Sequence, residues 1–352
     1  MEVSKRFDDA PRRFTVPSEN RFLVVGSGSA GRRHALGLRE LFPTSKITVV
    51  KRSQSTQPLA VLHERGIEIV DSLERGIELD PTFSVIASPA TLHFTDFEFL
   101  SRHCSRFLLE KPIASSTRDA QLIHSLATSR GIEVVLGHHL RFSDTPLALK
   151  KEMEVTNKEV LPTLSLSYGQ HLRHWRPGVP QEQTVTAMKS LGGGVLRELS
   201  HEIDAASFLA SKPHIVQSAN LSYDGAPTDG EVETNADFVL KSHMTTVTIH
   251  LDMTTEVPYR HWDATFPSVT IRADLLNGTI TKLHEGGAVE QCFVAEPGER
   301  DRAAKALLRF AIFGTPNSPV GGCDTAQGVH ILNTIEAIEE SAVSGKSIDI
   351  AE

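Results

Sequence analysis

Only three cysteines occur in 352 residues, Cys104, Cys292 and Cys323, and they lie far apart with no CxxC spacing. That scarcity excludes a disulfide framework and a cysteine-based zinc site, and it fits a reducing cytoplasm. No uninterrupted apolar stretch approaches the roughly 20 residues a membrane helix needs, so no span is expected. Met1 to Asn20 mixes acids, bases and prolines without an apolar run, which excludes a signal peptide and reads as a flexible extension. Positive charge is not in excess: the formal net charge is -8, which argues against nucleic acid as the main partner. Internal repeats and low-complexity tracts are also missing.

What is present is an ordinary soluble composition, 39% hydrophobic and 23% charged, in a chain long enough for two domains. Phe22-Leu-Val-Val25 ends in Gly26 and is followed by a helical pattern from Ala30 to Leu41, with Ala35, Leu36, Leu38 and Leu41 on one side. Further short apolar runs at 47–50, 67–70, 83–87, 107–109 and 132–136 alternate with helical stretches at 59–65, 91–103 and 117–130. Such alternation implies a parallel sheet with right-handed crossovers over residues 21–140. From residue 141 to 352, period-two segments such as Thr163–Tyr168 and Thr245–Asp252 predict a large, mostly antiparallel sheet. Two clear helices accompany it, Leu191–Leu209 and Thr325–Val343, the second placed to pack back on the first domain. The fold class is therefore α/β: a dinucleotide-type domain of Rossmann kind followed by an α+β domain.

Gly26-Ser27-Gly28-Ser29-Ala30-Gly31 is a GxGxxG turn between a strand and a helix. There the first glycine makes the turn, the second admits a pyrophosphate and the third allows close packing, with the helix N-terminus facing the phosphates. The second strand ends Val49-Val50-Lys51-Arg52-Ser53, without the acid that would hold a ribose 2′-hydroxyl. Arg52 as a planar fork and Ser53 as a donor suit a 2′-phosphate, so NADP is expected, with NAD as the other possibility. Glu110-Lys111-Pro112 follows an apolar run at the carboxyl end of a strand, which places it at the mouth of the cofactor cleft. Lys111 there can bind a substrate hydroxyl or stabilise a developing alkoxide. Glu198, His201 and Asp204 follow a triple-glycine segment at three-residue spacing, on one face of the expected helix, where carboxylates would orient an imidazole base.

His138-His139 and His171-x-x-His174 have the residue type of metal ligands, but adjacent histidines on an extended segment point apart and no carboxylate or cysteine set converges in sequence. No metal is expected. His138, Arg141 and His174 suit substrate hydroxyls, and Trp175 and Tyr259 are candidates to pack on a sugar face.

The glycine turn, Ala87-Ser-Pro-Ala-Thr-Leu-His93, Glu110-Lys-Pro112 and the Gly192-Gly-Gly to Ser-His-Glu-Ile-Asp204 segment together resemble the Gfo/Idh/MocA oxidoreductases, the glucose-fructose oxidoreductase and inositol dehydrogenase family. The resemblance implies hydride transfer between NAD or NADP and a hydroxyl or keto carbon of a sugar, cyclitol or nucleotide sugar. It implies a homodimer or homotetramer through the C-terminal sheet, Lys111 and His201 at the catalytic positions, and Ser88, Pro89, His93, Glu110 and Lys111 along the cofactor. Gly137-His-His-Leu-Arg-Phe142 and His174-Trp-Arg-Pro177 are similar to a branch tied to bacterial surface-polysaccharide sugars. His138 and His139 replace that branch's Tyr-Asn, and Gln181, Gln183 and Val185 stand where it has tyrosines and arginines. Many members carry an aspartate four before the histidine; here that position is Arg197 and the acid is Glu198. Alternatives within the fold are a glycosidase or eliminase that uses the nicotinamide transiently, and a regulator that binds NADP without catalysis.

Overall fold

The computed structural model describes residues 20–51, 59–156, 160–175, 180–224, 232–314 and 321–351. The expected extension, and the pair Arg52 and Ser53 expected to suit a 2′-phosphate, lie outside the described residues.

The first half builds β1 (Arg21–Val25), α1 (Ser29–Leu41), β2 (Lys46–Val50), α2 (Ala60–Glu64), β3 (Glu68–Val70), α3 (Leu73–Ile77), β4 (Phe83–Ile86), α4 (His93–Leu100), β5 (Arg106–Leu109), α5 (Thr117–Arg130) and β6 (Glu133–Leu136). The six strands form one parallel sheet in the order β3-β2-β1-β4-β5-β6. The order reverses between β1 and β4, so the cofactor crevice opens at the carboxyl ends of those two strands. β1 and β4 are apolar along almost their whole length because both sheet faces are covered.

The second half adds α6 (Asp144–Thr156), β7 (Thr163–Gly169), α7 (Val195–Glu198), α8 (Ser200–Leu209), β8 (Ile215–Ser222), β9 (Asn235–Lys241), β10 (Thr246–Asp252), β11 (Tyr259–Thr265), β12 (Val269–Asp274), β13 (Thr279–His284), β14 (Val289–Val294), α9 (Glu299–Phe313), α10 (Thr325–Ser344) and β15 (Ile348–Asp349). Nine strands form a sheet in the order β14-β13-β12-β11-β7-β10-β9-β8-β15, antiparallel except where β7 lies parallel to β10. Its inner face buries Leu164, Leu166, Phe238, Ile249, Trp262 and Ile271, each contributing about 1.5–3 kcal/mol by leaving water. α6, α7 and α8 pack on that face.

Three differences from the sequence reading matter for the site. α6 and α9 were not expected, although Ala303, Ala304, Leu307, Leu308, Ala311 and Ile312 carry a helical period. α9 belongs to the first sheet: Leu307, Leu308, Ala311 and Ile312 join Phe83, Val85 and Leu108 in one apolar cluster beneath α1. The crossovers through α4 and α5 cover only the opposite face of β4, β5 and β6, so a returning helix must cover this one. The single helix expected over 191–209 is instead a 3-10 turn, α7 and α8, broken at Leu199. Finally, α10 starts at a capping box between Asp324 and Gln327 and packs on α5, β6 and β8, which ties both sheets together.

Candidate active site

The glycine turn has the shape a dinucleotide needs. Gly26 sits at φ 104°, and a Cβ there would lie 2.4 Å from the Ala87 carbonyl oxygen; a Cβ on Gly31 would lie 1.9 Å from that of Gly26. Gly28 is different: a Cβ would meet nothing within 4 Å, and it precedes α1 with no side chain capping the first turn. Open space above free backbone N–H groups is a phosphate cradle. The buried Ser27 hydroxyl has no partner among the described residues and faces the same requirement for an acceptor. These residues fit a dinucleotide. Beside Val50 a recess is lined by Asp71, Ser72, Leu73 and Glu74, at the carboxyl end of β2 where the adenosine half would lie.

Ser88 and His93 are engaged in holding the β4 and β5 loops together. The Ser88 hydroxyl donates to Asp96 at 2.6 Å, and the His93 ring bridges the carbonyl oxygens of Ser88 at 2.9 Å and Ile113 at 3.2 Å. Pro89 leads into the short turn over Ala90–Leu92. Glu110 accepts a 2.6 Å contact from His34, a polar residue on the buried face of α1, and a 3.2 Å bond from the Lys111 N–H. Burial pushes Glu110 up, but the His34 bond and the charges of His34, Arg33 and Lys111 outweigh it and hold the carboxyl well below its usual range.

The Lys111–Pro112 peptide is cis. Lys111 Nζ donates to the backbone carbonyl of Glu198 at 2.6 Å and lies 3.4 Å from its carboxylate. This contact explains the broken helix. In an unbroken helix the Glu202 N–H would take the Glu198 carbonyl; here Glu202 bonds to Leu199 instead, at 3.1 Å. Lysine from the first domain thus caps α7 and frees the start of α8, where His201 stands. The Glu198 carboxylate also accepts from the buried Thr186 hydroxyl at 2.6 Å, a residue for which the sequence offered no signal.

The break therefore separates Glu198 from the face expected to join it to His201 and Asp204, which share α8. Asp204 turns to Arg141, accepting at 2.9 and 3.2 Å from Nε and at 2.5 Å from one terminal nitrogen. Arg141 is 5% exposed and also meets Gln327 and the Gly321 carbonyl, so it is spent on structure rather than held out to a ligand. The Nδ1 of His201 has no hydrogen-bond partner among the described residues. What surrounds His201 is imidazole: His138 and His139 meet it edge-on, with centroids at 5.2 and 4.7 Å. Both rings reach one place because His139–Phe142 is a 3-10 turn, not the extended segment assumed from sequence.

His138, Asp204 and Cys323 also converge, with ligand atoms within 4.8 Å of one another, contrary to the expectation that no such set comes together. The Arg141 guanidinium already neutralises Asp204 and opposes a cation there. His174 is nearly half exposed, beside Arg173 and Glu256. Trp175 donates to the Gln170 carbonyl at 3.1 Å and stacks near Tyr168, whose face carries Arg260 at 4.6 Å. Arg260 in turn holds the fully buried Glu202 at 2.7 Å.

Burial is the leading cause that lowers His93, His138, His139, His201 and His330 from 6.5, His139 to about 3 and His330 to about 4. For His201 the charges of His139, His138, Lys111 and Arg260 add to it. His201 is thus a neutral base at physiological pH. These groups take protons in the unfolded chain below pH 6.5 but not in the folded one, so stability is complete above 6.5 and falls as pH drops toward 4 and then 3. The melting temperature is therefore expected to fall steeply between pH 6.5 and about 5; a constant value across that window would contradict neutral burial.

Residues 20–138 match the sequence model described as oxidoreductase family, NAD-binding Rossmann fold. No curated protein matches the chain significantly in sequence. Among solved structures, an aldose-aldose oxidoreductase from Caulobacter crescentus complexed with glycerol is 20% identical with TM-score 0.76, over 94% of this chain and 99% of its own. A levoglucosan dehydrogenase complexed with NADH and L-sorbose is 15% identical with TM-score 0.76, over 94% and 99%. A UDP-N-acetylglucosamine 3-dehydrogenase from Acidithiobacillus ferrooxidans is 17% identical with TM-score 0.72, over 93% and 98%. At these identities the likeness is one of fold, and it extends over both sheets. The glycine cradle and the strand order agree with the match over 20–138, so this part of the chain is similar to the NAD-binding Rossmann domain of the Gfo/Idh/MocA oxidoreductases.

Proposed function

We propose that the protein is an NAD(P)-dependent oxidoreductase that moves hydride between the cofactor and a hydroxyl or keto carbon of a sugar-type substrate. The observation that carries this reading is the meeting of Lys111 with the α7–α8 break, which sets an ammonium beside a neutral, buried His201 at the carboxyl edge of the cofactor sheet. Gly26–Gly31 would hold the dinucleotide phosphates, and the nicotinamide supplies the hydride acceptor when bound. The residues do the rest. Lys111 donates a hydrogen bond to the substrate oxygen as it gains alkoxide character, and His201 takes the hydroxyl proton. Glu198 and Thr186 hold Lys111 in place. His138 and His139 wall His201 from water, which strengthens both interactions.

NADP is the finer reading, resting on Arg52 and Ser53 after β2. Asp71 and Glu74 beside Val50 favour a second one, because a carboxylate there suits the two ribose hydroxyls of NAD. Fluorescence titration with NADPH and NADH decides: tighter NADPH binding, weakened by Arg52→Ala, supports the first, and tight NADH binding with negligible NADPH binding overturns it. The substrate reading extends to sugars and nucleotide sugars of surface polysaccharides, and the polar outer face of the nine-stranded sheet to a homo-oligomer interface. A screen of such sugars for nicotinamide reduction tests the activity itself. Net hydrolysis or elimination without a net absorbance change would favour transient oxidation.

A further inference from the structure

Three arginines gather one side chain beyond His201. A small cavity between α1, α9 and the ends of β5 and β6 is lined by Arg33, Arg300, His34, Glu110 and His139. His139 is the ring packed edge-on against His201, so the cavity and the proposed catalytic centre share a wall. Arg260, stacked over Tyr168, completes the group: its charge acts on both His139 and Arg300.

The charges in this group do not balance by pairing. Arg260 is matched by Glu202, Lys111 by Glu198, and Glu110 by His34. Arg33 and Arg300 make no hydrogen bond or ion pair at bonding distance among the described residues, although the charge of Arg33 acts on Glu110 and that of Asp301 on Arg300. They come from opposite halves of the chain, Arg33 from α1 and Arg300 from α9, and the two guanidinium groups repel each other across the cavity. Burial, then Arg33, lower the proton affinity of Arg300. Two guanidinium groups face this cavity against the single Glu110 carboxylate in its lining, which is already bonded to His34, and the excess of positive charge is an arrangement an anion relieves; guanidinium forks match carboxylate and phosphate oxygens.

We propose that Arg33 and Arg300 form a subsite for an anionic group, a phosphate or a carboxylate, carried by the sugar whose hydroxyl reacts between Lys111 and His201. The inference rests on the proposed oxidoreductase activity and names its substrate class: acidic or phosphorylated sugars rather than neutral ones. The uncharged sugar ring would lie toward Tyr168 and the imidazoles, with the anion at the arginine pair.

The test compares glucose, glucuronate, glucose 6-phosphate and UDP-N-acetylglucosamine as substrates for the full-length enzyme with NADP or NAD, in the wild type, Arg33→Gln and Arg300→Gln. An anionic sugar is expected to be turned over in preference to glucose, and each substitution to raise its KM by about tenfold or more. Activity on glucuronate alone assigns the subsite to a carboxylate; activity on either phosphorylated sugar assigns it to phosphate. Cofactor affinity, read by nicotinamide fluorescence, is expected to be unchanged in both variants. Equal turnover of glucose and its acidic counterparts, with no effect of Arg300→Gln, overturns the subsite while leaving the oxidoreductase reading intact. Loss of cofactor binding in the arginine variants, with sugar KM unchanged, overturns it by assigning the pair to the dinucleotide. If no sugar in a wide panel reduces either cofactor, the parent reading fails and takes the subsite with it.

Discussion

Lys111→Met is expected to lower kcat/KM by about a thousandfold, because it removes the hydrogen bond to the developing alkoxide. The loss should appear mainly in kcat, with cofactor affinity retained, since the glycine cradle does not depend on the ammonium. His201→Asn should cost a similar factor but with a different signature. If His201 takes the proton, its replacement removes the acid limb of the pH profile, a limb set well below pH 6.5 by the burial of the ring. Lys111→Met should leave that limb in place. A lysine variant that erased the limb while His201→Asn kept it would transfer the proton-transfer role to Lys111. Near-normal kcat/KM in both variants would end the proposed chemistry.

Asp204→Ala should act on stability more than on catalysis. It strands Arg141, 5% exposed, without its carboxylate partner, and removal of one member of a buried pair costs about 3–5 kcal/mol. The urea midpoint reads this. Replacing both members, Arg141→Met with Asp204→Leu, should recover much of the loss. Activity per folded molecule in Asp204→Asn should stay near that of the wild type. A collapse of kcat with unchanged stability would restore Asp204 to the catalytic role its spacing suggested.

The sequence made the first sheet legible because its strands and helices follow local periods and because Gly26 and Gly31 mark a turn in which a Cβ at either would clash. Lys111 and His201 were legible as residues. Their relation was not, since the break at Leu199 depends on an ammonium arriving from 87 residues away to take a helix carbonyl. For the same reason spacing misled at Glu198, which a tertiary contact cuts off from the helix of His201; Asp204 shares that helix, but its carboxylate turns to Arg141. His138 and His139 were read as an extended pair pointing apart, whereas a 3-10 turn folds both against His201. Arg141 was offered to substrate because a single sequence shows no partner for it; Asp204, Gln327 and Gly321 lie on other elements. α9 was available in the pattern of its alanines and leucines, but the texture of the second half drew attention to strands.

The path of the chain back and forth between the sheets carries a mechanical consequence. After β14 it returns to cover the first sheet with α9, bridges Leu136 to Cys323, lays α10 across both halves, and only then adds β15 to the edge of the second sheet beside β8. The two halves are thus laced rather than strung on a single linker. Cutting the chain near residue 141 would leave the first sheet without α9, its cover on one face. Thermal unfolding should accordingly proceed as one cooperative event, and the cleft between the halves should work as a braced jaw whose opening is limited by the return strand.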